Sequence, residues 1–168
     1  MLKELISSKK IETRVAELGR EISTAYAGKE IVMVVLLRGS FIFAADLIRV
    51  LEPETVVDFM VVSSYQGENT SGEVRILKDL ADNIHGRHIL IVEDIVDTGL
   101  TLNKILTLLQ SRSPQSIAIC SMLNKPSRRI QPVDIQYVGF EVEDQFVVGY
   151  GLDMDQKYRQ LPYIGELV

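Results

Sequence analysis

Cysteine is nearly absent from this chain, since Cys120 is the only one among 168 residues. A single cysteine excludes an internal disulfide and is typical of a protein in a reducing compartment. Cys120 lies in an apolar segment with a strand-like pattern, so we expect a buried small hydrophobic residue rather than a nucleophile. The two histidines, His85 and His88, have no partner His or Cys at metal-ligand spacing, and we expect both to be structural.

Long hydrophobic segments and an excess of positive charge are also missing. The apolar segment Ile31–Leu37 ends at Arg38 and is too short to cross a membrane. The N-terminal residues mix acidic and basic side chains, so no secretory signal is visible. The net charge of −5 and the pI of about 5.1 argue against nucleic acid as a partner. Without internal repeats or low-complexity segments, residues 1–168 are predicted to form one cytoplasmic domain.

The most informative segment is residues 89–101. Its first four residues are β-branched or leucine, which is typical of a strand buried on both faces. Acidic, hydroxyl and glycine residues follow within one short turn, and apolar residues then recur at helical spacing. The pattern predicts a buried strand, a polar loop and the start of a helix. In open α/β sheets, ligands bind beyond the carboxyl ends of the strands, where this loop would lie.

The residue types of this loop indicate a phosphorylated sugar as ligand. Residues 97–101 place small and hydroxyl side chains where the free N–H groups of a helix start can bind phosphate. The carboxylates of Glu93, Asp94 and Asp97 would repel that phosphate unless the first two bind sugar hydroxyls or share Mg²⁺ with the substrate. Taken alone, an acidic loop of this kind is more often a plain connection in which Asp97 or Thr98 caps the helix.

A second strand end carries an arginine. The strand at Ile31–Leu37 leads into Arg38, Gly39 and Ser40 and then into a helix predicted over 41–51. An arginine beside free backbone N–H groups suits an anionic phosphate, although a surface arginine that caps a turn is an equally simple interpretation.

A third strand end carries a lysine. The strand predicted over 116–123 leads to Lys125, whose donor-only ammonium group favours a carbonyl over an amino group. Taken alone, Lys125 is more simply a solvated loop residue. The polar segment 63–75 is too long for a plain connection and predicts a lid or a disordered hairpin. The other predicted elements are a helix over 2–26 with a break near Ser7 and strands over 55–62, 76–82, 135–140 and 146–148.

Residues 92–101 resemble the phosphoribosyl-pyrophosphate (PRPP) motif of the type I phosphoribosyltransferases. Residues 37–40 are similar to the pyrophosphate loop of that family, which carries a non-proline cis peptide, and residues 152–165 are similar to its C-terminal segment. Most of the chain resembles the hypoxanthine/guanine branch. The resemblance implies the α/β type I phosphoribosyltransferase fold, with a mainly parallel twisted sheet flanked by helices. It also implies a mobile loop at about 63–75 and a small hood from about 1–26 and 150–168.

The resemblance also implies roles for individual residues. PRPP and its phosphate would be bound by Glu93, Asp94, Asp97, Thr98, Gly99, Leu100 and Thr101. Pyrophosphate would be bound by Arg38, Gly39 and Arg159, and the purine by Lys125, Phe146, Val147 and Asp153. Mg²⁺ would be held by Glu93, Asp94 and Asp153, the mobile loop would include Ser63, Ser64 and Tyr65, and Asp97 would be the catalytic base. A single Phe such as Phe146 is otherwise more often a core residue.

The activity implied is transfer of the 5-phosphoribosyl group from PRPP to hypoxanthine or guanine, a step of purine salvage. Homodimers or homotetramers are typical of the family. Three alternatives remain: a regulatory RNA-binding protein on the same fold, a non-catalytic PRPP sensor, and an enzyme that prefers xanthine or adenine. The acidic balance argues against the first, and the presence of Lys125, Asp153 and the polar segment 63–75 argues against the second. Departures from the family pattern, Gln156 and Glu166, fall outside the implied ligand contacts.

Overall fold

The structure is a computed structural model that describes residues 1–64 and 74–168. The elements run along the chain in the following order: β1 (Leu2–Ile6), α1 (Ser8–Ala25), β2 (Ile31–Leu37), α2 (Phe41–Ile48), β3 (Thr55–Ser64), β4 (Val74–Lys78), β5 (His88–Val96), α3 (Leu100–Gln110), β6 (Ser116–Asn124), β7 (Tyr137–Glu141), β8 (Val147–Val148) and β9 (Ile164–Leu167). A short 3₁₀ turn, Pro126–Arg128, follows β6.

The main sheet has the strand order β4-β3-β2-β5-β6-β7, and every neighbouring pair is parallel except β3 with β4. Its central strands are buried on both faces, because alternate side chains of β2 enter different clusters. Ile31, Met33 and Val35 enter one apolar cluster, and the residues between them enter the other. This is the burial expected of a parallel sheet that is covered on both sides by helices.

The helices supply the two outer layers. The apolar residues of α1 and α2, among them Leu18 and Phe43, pack in the same cluster as Met33. On the other face Leu102, Ile105 and Leu109 of α3 pack in the second cluster. Within the described residues, no helix is both long enough and apolar enough to span a membrane.

The ends of the chain meet in a small antiparallel sheet with the order β1-β9-β8. The prediction of helix at residues 2–6 is therefore wrong, because Leu2 pairs with Leu167 and this segment becomes a strand. Helix α1 begins only after Ser7, whose hydroxyl accepts a hydrogen bond from the Lys10 N–H at 3.3 Å and caps the helix. Of the predicted hood segment 1–26, β1 lies in the small sheet, whereas α1 packs against the main sheet.

Two element boundaries near the polar loop differ from the prediction. Strand β5 continues to Val96, since Ile95 and Val96 still pair with β6, so Glu93 and Asp94 lie in a strand rather than in a turn. The N-cap position of α3 is Gly99, with φ of 81°, rather than Asp97 or Thr98. Helix α2 ends at Ile48 instead of 51.

The connections place a crevice between β2 and β5. The chain moves from β2 through α2 to β3 on one side, and from β5 through α3 to β6 on the other. Such a reversal in strand order leaves an opening at the carboxyl ends of the two central strands.

Candidate active site

Three neighbouring cavities lie at the carboxyl edge of the main sheet, with volumes of about 590, 170 and 500 Å³. They share boundary residues. Glu93 lines the first and second, Asp97 lines the second and third, and Asp153 lines the first and third. We name them the pyrophosphate cavity, the phosphate cavity and the purine cavity, after the groups that the sequence predicts there. One continuous site can therefore hold three chemically different groups.

The phosphate cavity is formed by the turn between β5 and α3. Asp97, Thr98, Gly99 and Thr101, for which phosphate binding is predicted, line it together. Gly99 is required here, because its φ is positive and any Cβ would overlap the carbonyl oxygen of Gln131. Leu100 is the exception in the predicted set, because it does not line the cavity and its N–H donates to Thr98 Oγ1 at 3.3 Å. The start of α3 and the Thr98 and Thr101 hydroxyls thus form a compact site for an anion.

Glu93 and Asp94 are adjacent acids at the end of β5. Glu93 Oε1 accepts from the Asp94 N–H at 2.9 Å, and Asp94 Oδ1 accepts from the Ile95 N–H at 2.8 Å. Burial, reinforced by the negative charge of Asp94, raises the pKa of Glu93 well above its usual value. Neither acid has a Lys or Arg ion pair in residues 1–64 and 74–168. Such an uncompensated pair of carboxylates fits Mg²⁺, which binds through one or two carboxylates together with substrate oxygens.

Asp153 does not join these two acids in a compact metal cluster. In the described part of the chain, no three His, Cys, Asp or Glu side chains lie close enough to hold a metal by themselves. All three predicted metal ligands nevertheless line the pyrophosphate cavity. Asp153 Oδ1 is paired with Arg159 Nη2 at 2.9 Å, and its Oδ2 accepts from the Gln156 N–H at 2.8 Å. The predicted role of Asp153 as a metal ligand stays a prediction.

The pyrophosphate cavity brings together Arg38, Gly39 and Arg159, the three residues for which pyrophosphate binding is predicted. The Leu37–Arg38 peptide is cis, in agreement with the resemblance. Gly39 lies directly against Asp94, because a Cβ on Gly39 would overlap the carboxylate of that residue. The turn after β2 and the acids of β5 are therefore in direct contact, and only glycine leaves room for that contact.

The C-terminal segment is held against the turn after β2. Gly151 packs on the carbonyl of Gly39, and Arg159 Nη1 donates to the Gly151 carbonyl at 2.6 Å. The Tyr150 hydroxyl donates to Asp46 Oδ2 of α2 at 2.6 Å. Burial, together with that hydrogen bond, raises the pKa of Tyr150 well above its usual range, so the hydroxyl remains a donor. These contacts hold the C-terminal segment in place, so that Arg159 lies at the crevice between β2 and β5.

The purine cavity contains Lys125, Phe146, Val147 and Asp153, and Asp97 lines its edge. Lys125 is buried, and its Nζ donates to the Gln145 carbonyl at 2.5 Å. Phe146 is 55% exposed, so it is not the core residue that the alternative interpretation required. Its exposed face can stack on a planar ring. The cavity thus combines a cation, an aromatic face and a carboxylate.

Comparisons with known proteins identify the family of this chain. The model of the Phosphoribosyl transferase domain matches residues 1–155. The chain belongs to the phosphoribosyltransferase family. It is 52% identical to the hypoxanthine phosphoribosyltransferase of Salmonella typhimurium over 98% of this chain and 94% of the relative. It is 48% identical to the hypoxanthine-guanine phosphoribosyltransferase of Mycobacterium avium, over 97% of this chain and 84% of the relative.

The fold comparison supports the same assignment. A crystal structure of a hypoxanthine-guanine phosphoribosyltransferase from Bacillus anthracis superposes with a TM-score of 0.95 at 42% identity, covering 99% of this chain and 98% of that chain. The type I phosphoribosyltransferase fold predicted from the sequence is thereby confirmed. The roles of single residues in this phosphoribosyltransferase stay predictions.

Two arginines beside the site were missed by the sequence analysis. Arg128 Nε lies 3.4 Å from Asp97 Oδ1, a buried oxygen that has no hydrogen-bond partner in the described chain. Arg129 Nε donates to the carbonyl of Asp97 at 2.9 Å. The sequence signal that could have identified them is the pair of adjacent arginines just after Lys125. The direction of their side chains depends on the 3₁₀ turn, which the local sequence pattern does not predict.

The predicted mobile loop is only partly described. Ser63 lines the pyrophosphate cavity, Ser64 ends β3, and Tyr65 lies outside the described residues. A larger cavity of about 740 Å³ lies between α1, α2 and the C-terminal segment, but it contains none of the predicted site residues. Its size therefore does not identify the active site of this phosphoribosyltransferase.

Proposed function

We propose that this phosphoribosyltransferase transfers the 5-phosphoribosyl group of PRPP to hypoxanthine or guanine, with release of pyrophosphate. The observation that carries the proposal is that Lys125 and Asp97 line one cavity directly beside the phosphate cavity. The site therefore places side by side a hydrogen-bond donor for the base, an acceptor for the proton of the base and a binding site for the sugar phosphate. The names of relatives 52% and 48% identical to this chain support the same reaction.

PRPP would occupy the phosphate and pyrophosphate cavities together. The turn at Thr98–Thr101 binds the 5-phosphate, and Glu93 and Asp94 face the ribose hydroxyls. Arg38 and Arg159 provide positive charge for the diphosphate that leaves. Mg²⁺, when bound by the acids at the end of β5 and by substrate oxygens, supplies further neutralisation of that leaving group.

The purine cavity selects a 6-oxopurine. The Lys125 ammonium can only donate hydrogen bonds. It therefore favours a base with a carbonyl oxygen at this position and disfavours the exocyclic amino group of adenine. Its hydrogen bond to the Gln145 carbonyl holds it in the cavity, beside the exposed ring of Phe146. The base would then stack on the aromatic face, with a nitrogen at the edge of its ring directed at the sugar carbon that it attacks.

Asp97 is the proposed general base. It accepts the proton that the purine releases at N7 while the ring attacks C1 of the ribose. Its Oδ1 is buried and lies 3.4 Å from Arg128 Nε, so the proposal requires the other carboxylate oxygen, Oδ2, to accept the proton. Because Asp97 lies between the phosphate and purine cavities, it is close to both reactants.

A spectrophotometric assay with PRPP, Mg²⁺ and each purine in turn tests the proposal. We expect conversion of hypoxanthine and guanine, none of adenine, and loss of activity when EDTA removes the metal. A preference for adenine would contradict the assignment of Lys125. No conversion of any 6-oxopurine, together with retention of RNA on filters at moderate salt, would favour an RNA-binding regulator instead. Location in the cytoplasm and assembly as a homodimer or homotetramer stay proposals.

A further inference from the structure

The carbonyl groups of residues 96–98, at the end of β5 and in the loop that follows it, accept hydrogen bonds from the segment that follows β6. The Val96 carbonyl accepts from the Lys125 N–H at 2.9 Å. The Thr98 carbonyl accepts from the N–H groups of Ile130 and Gln131 at 2.9 and 3.0 Å. The Asp97 carbonyl lies between these two and accepts from the side chain of Arg129.

Arg129 makes the central contacts of this arrangement. Its Nε donates to the Asp97 carbonyl at 2.9 Å, and its Nη2 lies 3.4 Å from the Val96 carbonyl and 2.5 Å from Asn124 Oδ1. Its Cδ also packs against the position where Gly99 would carry a Cβ. The acceptors of this guanidinium are thus neutral oxygens, and two of them are the main-chain carbonyls of Val96 and Asp97, which line the phosphate cavity. A planar group with several fixed donors suits that task better than an ammonium.

The direction of these carbonyls determines the direction of the neighbouring amides. In a planar trans peptide the C=O of one residue and the N–H of the next point in opposite directions. Carbonyls of residues 96, 97 and 98 that point toward the segment after β6 therefore turn the N–H groups of Asp97, Thr98 and Gly99 the other way. These three residues line the phosphate cavity. An anion in that cavity would meet amides that are already oriented.

We propose that Arg129 is a positioning residue for the 5-phosphate, which acts by holding the Val96 and Asp97 carbonyls rather than by touching the substrate. The proposal rests on the proposed function for the identity of the ligand. According to this proposal, the main chain at Val96 and Asp97 is held by a residue of the segment after β6, the same short segment that carries Lys125. Geometry of this kind matters because small displacements of binding groups are costly to a reaction that depends on orientation.

The test measures binding by calorimetry, in the presence of Mg²⁺, with two probes: ribose 5-phosphate for the phosphate cavity and pyrophosphate for the cavity lined by Arg38 and Arg159. We expect Arg129→Ala to weaken ribose 5-phosphate about 10- to 100-fold and to change pyrophosphate affinity less than about twofold. Arg129→Lys keeps the charge but cannot donate to both carbonyls. It should therefore also lose affinity for ribose 5-phosphate while its affinity for pyrophosphate stays nearly unchanged. It also serves as the second variant if the alanine protein does not fold.

Arg112→Ala is the matched control, because Arg112 is a distant arginine paired with Asp79 at 2.8 and 2.6 Å. It should bind both probes like the unmodified protein. Full recovery with lysine would mean that Arg129 acts through charge alone, and equal losses for both probes would mean a general structural role. Either result, or unchanged binding of ribose 5-phosphate, overturns the proposal. If the unmodified protein binds ribose 5-phosphate but converts no purine, the proposed function fails separately.

Discussion

Asp97 and Lys125 follow the neighbouring strands β5 and β6 and line the same cavity of about 500 Å³. The Lys125 N–H also donates to the carbonyl of Val96, the residue before Asp97. The proposed base and the proposed selector of the purine are therefore parts of one hydrogen-bonded unit. This relationship leads to the first two predictions.

Lys125→Ala should raise the KM for the purine about 10- to 100-fold and leave the KM for PRPP nearly unchanged, because a charged hydrogen bond to the base is lost. Steady-state kinetics with each substrate varied separately provide the measurement. Lys10→Ala, an exposed residue of α1, is the control. Equal increases in both KM values would show that the purine cavity is misplaced.

Asp97→Asn should lower kcat about 10²- to 10⁴-fold, with a much smaller change in the KM for PRPP, because the amide keeps the shape but cannot accept the proton. Asp82→Asn, at an exposed position away from the three cavities, should behave like the unmodified protein. Single-turnover measurements separate this chemical step from product release. Unchanged turnover of the Asp97 variant would remove that residue from the role of base.

Gly39→Ala should weaken PRPP binding by at least about tenfold, because the new methyl group would displace the carboxylate of Asp94. Gly28→Ala is a useful control, since Gly28 has a φ of 72° but nothing within 4 Å of its Cβ position. It should cost stability through backbone strain without a specific loss of PRPP affinity. Normal PRPP affinity in the Gly39 variant would contradict the close contact between these two strand ends.

Asp58→Asn should destabilise the fold by about 1 to 3 kcal/mol near neutral pH. Burial alone would raise the pKa of Asp58, but hydrogen bonds from the N–H groups of Phe59, Ala81 and Asp82, with help from Lys78, outweigh it and leave the pKa below its usual value. A depressed carboxyl pKa stabilises the fold above the pKa of the unfolded chain, about 3.9, and that contribution is lost as the pH falls through the folded value.

Urea unfolding of both proteins across a pH series measures this effect. The difference in free energy of unfolding between them should be constant above about pH 5 and shrink at lower pH. Asp134→Asn, at an exposed position, should show a small difference at every pH. A difference that grows toward acid pH would contradict the direction of the shift.

Cys120 should not react with thiol reagents in the folded protein. It is fully buried, and burial raises the pKa of its thiol above the usual range, so the reactive thiolate is not formed. Labelling with iodoacetamide should follow the urea unfolding transition and be negligible before it. Rapid stoichiometric labelling without denaturant would show that this part of β6 opens to solvent in the native state.

The agreement between sequence and structure is greatest where local patterns are strong. The apolar segment Ile31–Leu37 is a strand with the predicted bounds, because burial on both faces requires apolar side chains at every position. The pattern failed at residues 2–6, since a short segment with mixed residues has no clear period and pairing with β9 decided its structure. It also placed Glu93 in a turn, because charged residues at the end of a strand resemble a loop.

The central strands, the glycine-containing turns and the kinds of chemical group at each strand end could be identified from the residues alone, because these follow from short-range patterns of polarity and size. Which strand ends are neighbours became visible only in the folded chain. It brought Lys125 beside Asp97, Gly39 against Asp94, and Arg159 from the end of the chain to the crevice. These contacts join residues far apart in the chain, and strand pairing and packing of the C-terminal segment create them. The orientation of Arg129 belongs to the same class, because it depends on a turn that the local sequence does not specify.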